Sequence, residues 1–591
     1  MTSLRGTLFA AIRSLVRGKS FLKVLLLRRT EETPAIQAPE DTAPTEVESP
    51  SASLSPSAST PLSTPLSSSP SSTPSSAATT IPISQQINTT RPVADFLSEA
   101  EELLLRPVES ARLGLFSRQL KDQYRERLFA SPACMLPSYN HQLPNGQEFG
   151  RYLCLDVGGS TLRVALIELH GQNRKELEEP ESNILCIQTV KITPDVKRLE
   201  GMQFFDWVAF HIAETVSKVG GVKNAADEAL PMGLAWSFPI EQTSLRGGLL
   251  QGMGKGFHAA DSLEGQDLGD IIQTACTSYG LCVELAAIVN DSAAALLSEA
   301  YVRTSTRFSL ILGTGVNMAV HLPVSMIGRP KFGSRPEAWF DSASHVIVNT
   351  ELSMFGCGLL PTMRWDMLLK ADHLRPDFQP LEQMVSGYYL GEICRFALIE
   401  ATTTTGLFRG ILPPSLLKPY SLDTETLSII ESDSSPSLEE ATAIFHSRHP
   451  CIDGSAPTKA DIATVRALAS LVSQRSAAIV AAAVYAMWLL KIETEGELQH
   501  GLADSSEGML ARRHADAAKA ELSIMHERTA VAFNGSVLER YPRYLEQCQG
   551  ILNELLLGDA KAGEPAGVIE MVPAKESSLL GAAVSLACLK A

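Results

Sequence analysis

The stretch Leu155-Asp156-Val157-Gly158-Gly159-Ser160-Thr161-Leu162-Arg163-Val164 carries an aspartate on one apolar run into a small, hydroxyl-bearing turn, and the apolar run Val164 to Leu169 follows. The pattern predicts a β-hairpin. A tip without Cβ atoms lets backbone N–H groups approach a phosphate, and the aspartate is then placed to hold a metal ion through water. Alone, a Gly-Gly hairpin is commonly only a turn. A second one strengthens the reading: Leu312-Gly313-Thr314-Gly315-Val316-Asn317 lies between the apolar segments Phe308 to Leu312 and Met318 to Leu322. Two such tips can grip a triphosphate from opposite sides. Between them, Ile288-Val289-Asn290-Asp291-Ser292 ends an apolar strand in a carboxylate that opens into a helix and projects into whatever cleft lies there. Taken alone, the same aspartate reads as a helix N-cap. Gly254-Lys255-Gly256 is a lysine on a glycine-flanked loop, a mobile cation for a sugar hydroxyl or a phosphate, or one that meets only solvent.

The elements that must position these residues follow from pattern and composition. A length of 591 residues bounds the chain at roughly two to four domains. A net charge of −16 and a pI near 5.3, without a large basic patch, argue against nucleic acid as the main partner. The ten cysteines are scattered without a Cys-x-x-Cys pair, as expected of reduced thiols in a cytosolic-type compartment. The longest apolar run, Ala477 to Leu490, is too short to span a bilayer and reads as a buried helix. Residues 1–30 carry Arg5, Arg13, Arg17, Lys19, Lys23, Arg28 and Arg29 interleaved with apolar residues and no acid. This is the composition of a basic amphipathic segment for mitochondrial targeting or a membrane surface, or else of a disordered basic tail. Residues 31–92 form a Ser/Thr/Pro-rich linker that cannot bury enough apolar surface to order itself. Residues 93–130 are predicted helical, Tyr152 to Ile192 strand-rich, and long helices are expected over roughly 379–403 and 460–491. The alternation of strand and helix indicates α/β layers.

In order and spacing, residues 93–591 resemble the eukaryotic hexokinases of the actin-like ATPase superfamily, in a divergent, fungal-type form. Met135-Leu136-Pro137-Ser138-Tyr139 and Pro144-x-Gly146-x-Glu148 are similar to the family's opening segment, and Asp156-x-Gly158-Gly159 to its first phosphate motif. Ser237-Phe238-Pro239 and Lys255-Gly256-Phe257 resemble its sugar loop, and Asn290-Asp291 its catalytic pair. Gly313-Thr314-Gly315 with Asn317 resembles the second phosphate motif. Asn349-Thr350-Glu351 and Glu382-x-Met384-x-Ser386-Gly387-x-Tyr389-Leu390-Gly391-Glu392 resemble later sugar motifs. Gly535-Ser536-Val537 and Gly581-Ala582-Ala583 resemble the adenosine-side segments.

The resemblance implies a two-domain, ribonuclease H-like α/β fold with a cleft between a small domain (93–298) and a large one (299–591), whose last segment returns to the small domain. It implies transfer of a phosphoryl group from Mg-ATP to the 6-hydroxyl of a hexose. Asp291 would be the proton acceptor, with Lys255 offsetting charge. Ser237, Pro239, Lys255, Asn290, Asp291, Asn317, Glu351 and Glu382 would hold the sugar. Asp156, Gly158, Gly159, Ser160, Thr161, Arg163, Gly313, Thr314, Gly315, Gly535, Ser536 and Gly581 would line the ATP side, with Asp156 ordering water around Mg²⁺. The partners implied are the hexose and ATP. The expected location is cytoplasmic, with the outer mitochondrial surface as a candidate anchor point for residues 1–30.

Departures from the family pattern gather on the nucleotide side. Val316 stands where a threonine is usual, Ser160-Thr161-Leu162 replaces Thr-Asn-Phe, Asn534 replaces an aspartate, and Glu576-Ser577-Ser578-Leu579 replaces Asp-Gly-Ser-Gly. On the sugar side, Gly254 replaces a threonine. In the helix after Asp291, Ala294 stands in place of a glycine. Each lost phosphate hydrogen bond weakens binding by about 1–3 kcal/mol. Two readings therefore stand at this point: an active hexokinase, and a weak or inactive hexose-binding regulator on the same scaffold, with Leu579 crowding the nucleotide.

Overall fold

Apolar runs broken by Gly-rich turns build two sheets on one plan. The computed structural model describes residues 91–171, 180–218, 229–254, 256–503, 509–559 and 567–589. The segment 1–30 and nearly all of the linker 31–92 lie outside them, as does Lys255. In chain order the strands are β1 (Leu136–Pro137), β2 (Phe149–Val157), β3 (Thr161–His170), β4 (Ser182–Lys191), β5 (Leu230–Trp236), β6 (Ile240–Gln242), β7 (Gly248–Leu250), β8 (Val283–Val289), β9 (Thr306–Leu312), β10 (Val316–Pro323), β11 (His345–Asn349), β12 (Arg528–Asn534) and β13 (Val568–Pro573). The helices used below are α1 (Val93–Leu105), α2 (Ser110–Ala130), α3 (Met202–Lys218), α4 (Leu268–Ser278), α5 (Asp291–Val302), α6 (Pro380–Val385), α7 (Leu390–Thr405), α8 (Lys459–Ala503) and α9 (Ser577–Ala587).

One sheet has the order β4-β3-β2-β5-β8, the other β1-β11-β10-β9-β12-β13. In each, an antiparallel meander (β2, β3, β4; β9, β10, β11) is extended by parallel strands (β5 and β8; β12 and β13). β1 is an addition at the edge, antiparallel to β11. The two Gly-rich hairpins thus occupy the same place in two equivalent sheets.

Three layers hold this arrangement. The first sheet packs its outer face, with Leu153, Leu155 and Val164, on Phe204, Val208 and Ile212 of α3 and Ile271 and Ile272 of α4. Its inner face, with Cys154 and Ala165, meets α5 and α9, which also touch Ala319 and Ile347 of the second sheet. The second sheet closes against α8, whose stretch Ala477 to Leu490 is buried throughout except at a partly exposed Leu489. Residues 93–298 were expected to form the small domain. Instead α1 and α2 send Phe96, Leu104, Leu120 and Leu128 into the core of the larger sheet, because α8 offers an apolar surface there. The α5–α9 crossing depends on small residues. A Cβ on Gly581 would lie 2.1 Å from the Ala294 carbonyl oxygen, and one on Gly233 of β5 would lie 2.7 Å from the Ala582 carbonyl oxygen.

The helix expected over 379–403 is interrupted between α6 and α7. There the Gly387 N–H donates to the Gly313 oxygen at 2.8 Å and the Tyr388 N–H to the Thr314 oxygen at 3.3 Å. A continuous helix would have used those donors internally. The helix expected over 460–491 runs on to Ala503. None of the cysteines is disulfide-bonded.

Candidate active site

The N-terminus of α5 organises the centre. Asn290, not Asp291, is its cap: the Asn290 Oδ1 accepts the Ala293 N–H at 3.0 Å, and its Nδ2 donates to Ser292 Oγ at 2.9 Å. Asp291 is therefore released from capping and sits in the first turn, where the helix dipole favours a negative charge. Its Oδ1 accepts the Ser292 N–H at 2.7 Å.

A chain of amides links this turn to the second sheet. Asn317 Nδ2 donates to Asn349 Oδ1 at 2.9 Å and lies 3.5 Å from Ser292 Oγ. Asn349 Nδ2 donates in turn to Glu351 Oε1 at 2.8 Å. Glu351 holds a left-handed backbone, φ +52°, which bulky residues rarely adopt and which turns its carboxylate back toward the strand end. Burial pushes the Glu351 carboxyl above its ordinary range; the Asn349 amide works against this, and the negative charge of Asp291 adds to it.

Glu382, in the first turn of α6, joins the sugar side to the phosphate side. Its Oε2 accepts the Val316 N–H at 2.9 Å. A Cβ on Gly315 would lie 2.7 Å from the same oxygen, so the glycine is required for this approach. Ser237 is anchored at the end of β5 by its N–H to the Val157 oxygen at 3.3 Å. Pro239 is exposed beside it. Phe257, two residues after Lys255, meets the ring of Phe238 at 5.0 Å and 71°. Gly254 and Gly256 flank the lysine with φ of +63° and +81°.

On the phosphate side, the turn Gly158-Gly159-Ser160 is closed by the Gly158 N–H to the Thr161 oxygen at 3.0 Å, with Ser160 exposed at the tip. The turn Gly313-Thr314-Gly315 is closed by the Gly313 N–H to the Gly315 oxygen at 3.0 Å, with Thr314 exposed. Gly535, at φ +120°, and Ser536 lie against Gly313 and complete its floor. Arg163, expected on phosphate, faces Asp156 across the strands. Its Nε donates to Asp156 Oδ2 at 2.9 Å and its Nη1 to Glu576 Oε2 at 2.9 Å. Burial pushes Asp156 up, Arg163 acts against this, and Glu576 adds to it. Gly581, expected on the nucleotide, is a correction: it is buried in the α5–α9 crossing, and the space a side chain would take is filled by the Ala294 backbone.

Asn349 and Ser292 are the connectors that sequence reasoning passed over; both stood inside quoted motifs, and Asn349 lies two residues before Glu351. Glu576 as a partner of Arg163 had no sequence signal, because the pair is separated by more than half the chain.

Fold and site together define an α/β protein of two sheets on one plan, each with a Gly-rich hairpin, and with amides and carboxylates gathered near the N-terminus of α5. Two family models, each described as Hexokinase, match residues 105–301 and 307–588. The chain belongs to the hexokinase family, whose members are phosphotransferases with an alcohol acceptor and use ATP. It is 27% identical to Hexokinase-2 of Candida albicans over 453 residues, 76% of this chain and 83% of that one. It is 28% identical to Hexokinase-5 of Oryza sativa subsp. japonica over 482 residues, 80% of this chain and 86% of that one. A structure of the hexokinase from Schistosoma mansoni complexed with glucose matches with a TM-score of 0.64 at 24% identity, covering 84% of this chain and all of that one. That last likeness speaks for the fold.

Proposed function

We propose that this protein transfers the terminal phosphoryl group of ATP to the 6-hydroxyl of a glucose-like hexose. The observation that carries the reading is the hydrogen-bonded run from Asn317 through Asn349 to Glu351 beside the N-terminus of α5, which bears Asn290 and Asp291, with Glu382 bonded to the second hairpin. Asp291 accepts the proton of the attacking hydroxyl. Glu351, Glu382 and the amides accept from and donate to the other hydroxyls, and the charge-assisted bonds are about twice as strong as neutral ones. Such a pocket rejects analogues that lack a hydroxyl, because its own groups are then left unpaired. Ser237 and Pro239 bound the sugar from the first sheet, and Lys255 offsets charge at the reacting centre.

The hairpin tips hold the phosphates through backbone N–H groups. Among the described residues no group of three or more His, Cys, Asp or Glu could cage a metal ion. Asp156 suits the other arrangement, a single carboxylate that orders water around a Mg²⁺ carried by the nucleotide. That ion neutralises phosphate charge when bound. The departures on the nucleotide side stay largely out of the crevice. Val316 and Leu579 bury their side chains in the cores on either side of the second sheet, 4% and 0% exposed, so Leu579 does not crowd a nucleotide. Asn534 ties β12 to β13 through the Ala574 oxygen at 3.2 Å.

A coupled assay for the hexose 6-phosphate on the purified full chain, with glucose and Mg-ATP, tests the reading. Turnover that Asp291→Ala abolishes supports it; a hexose-stabilised protein without turnover overturns it in favour of a regulator. The composition of residues 1–30 further supports a cytoplasmic enzyme associated with the outer mitochondrial surface. Unchanged distribution of a chain lacking residues 1–30 would remove that association.

A further inference from the structure

The two glutamates given to the hexose each belong to a short helical turn entered through a left-handed residue. Glu351, at φ +52°, opens a single helical turn, Leu352–Met354, and Gln379, at φ +54°, opens α6, which carries Glu382. A helix this short gains little from its own hydrogen bonds and takes its position from its neighbours. The first turn is tied to β10 by the Leu352 N–H, which donates to Asn317 Oδ1 at 3.4 Å. The second is tied to the segment before it, where Gln383 Nε2 donates to the Phe378 oxygen at 2.8 Å. A side-chain bond runs between the two turns, from Gln379 Nε2 to Ser353 Oγ at 3.2 Å. Ser353 stands two residues after Glu351, and Gln379 three before Glu382. Ser353 is 1% exposed, so its hydroxyl is withdrawn from water and the Gln379 amide takes the place of a water partner.

We propose that Ser353 and Gln379 are positioning residues that set the spacing of the Glu351 and Glu382 carboxylates, and with it the choice among hexoses that differ at one hydroxyl. The inference rests on the sugar role given to the two glutamates under Proposed function and deepens it. Without the bond, both carboxylates still accept hydroxyl hydrogens, but no longer at a fixed separation. A sugar whose hydroxyls match both carboxylates at once then loses most. An epimer that already leaves one group unpaired loses little, so discrimination falls. Asp291 is seated on another element, the first turn of α5, by the Ser292 N–H. The loss therefore falls on sugar binding and not on the proton acceptor.

The test is isothermal titration of the full chain with glucose and with its epimers at carbons 2, 3 and 4, on the parent, Ser353→Ala, Gln379→Met and the double variant. The parent is expected to prefer one of these sugars. Each single variant should raise the Kd of the preferred sugar by about threefold to tenfold, the worth of one hydrogen bond, and move the others by less than about twofold. Because one bond carries the effect, the double variant should lose no more than either single. Gln379 is partly exposed, so its replacement tests the proposal even where Ser353→Ala does not fold. An equal loss for every sugar, additive losses in the double variant, or a parent with no preference or no binding overturns the proposal. Turnover with Mg-ATP is read separately, and kcat at saturating hexose is expected to stay at the parent value. A parent without turnover whose sugar preference still depends on Gln379 removes the kinase reading and keeps this one; turnover with a preference indifferent to both substitutions does the reverse.

Discussion

The carboxylate of Glu382 accepts the backbone N–H of Val316, so a side chain on the sugar side holds the hairpin on the phosphate side. The contact passes over Gly315, whose missing side chain leaves room for the carboxylate. Removing it strips a ligand from the hexose and leaves a hairpin donor without its partner. Glu382→Ala is therefore expected to raise both the hexose KM and the ATP KM by about tenfold or more, at 1–3 kcal/mol for each unpaired group. Steady-state kinetics with each substrate varied in turn checks this. An unchanged ATP KM would show that the Val316 contact has no role in nucleotide binding.

Asn349 bridges Asn317 and Glu351 with both ends of one amide. Asn349→Ala breaks both bonds and frees Glu351 to rotate away from the pocket. The expected outcome is a fall in kcat/KM for the hexose of about tenfold to a hundredfold, with the ATP KM little changed. Equal kcat/KM in parent and variant would make Asn349 a bystander.

How much of this was legible beforehand differs by residue. The hairpins at Gly158 and Gly313 were readable because a glycine turn between apolar runs is a local signal. The α/β layering was readable from the alternation of strand and helix, whereas the two-domain arrangement was implied only by the resemblance to the hexokinases. Asn290 and Asp291 were readable as a strand end opening a helix, but which of them caps it depends on side-chain geometry that composition does not encode. Arg163 pairing with Glu576 was not readable, since it joins β3 to the start of α9 across the fold. The placement of α1 and α2 was missed because an amphipathic pattern says that a helix buries one face without saying against what. The break before Tyr388 was missed because its reason, the N–H groups given to the second hairpin, lies in another part of the chain.

The Glu351 carboxyl titrates above its ordinary value of 4.5, chiefly through burial. The ionised form is the one that accepts hydroxyl hydrogens. The acid limb of kcat/KM for the hexose is therefore expected above the ordinary glutamate range, and Glu351→Gln should lower activity and remove that limb. The stability effect has the opposite sense. Because the native state holds this proton more tightly than the unfolded chain, this group's contribution to stability declines as pH rises from about 4.5 to the raised native value. Denaturant titrations of parent and Glu351→Gln across that window should show the variant gaining relative stability as pH rises. A pH-independent difference would rule the shift out.

Gly581 meets the backbone of Ala294, not its side chain: the nearest atoms to an added Cβ are the Ala294 oxygen at 2.1 Å and its carbonyl carbon and Cα at 2.5 Å. Gly581→Ala must then push α9 away from α5, and with it the layer that joins the two sheets. Overpacking of this kind destabilises by about 1–3 kcal/mol, which thermal unfolding would register as a lowered Tm. Because the obstruction is main chain, pairing Gly581→Ala with Ala294→Gly is expected to restore little of the loss. Full recovery in the double variant would place the contact on the Ala294 methyl group instead, and the two helices would then be free to separate and close without the backbone constraint the crossing imposes.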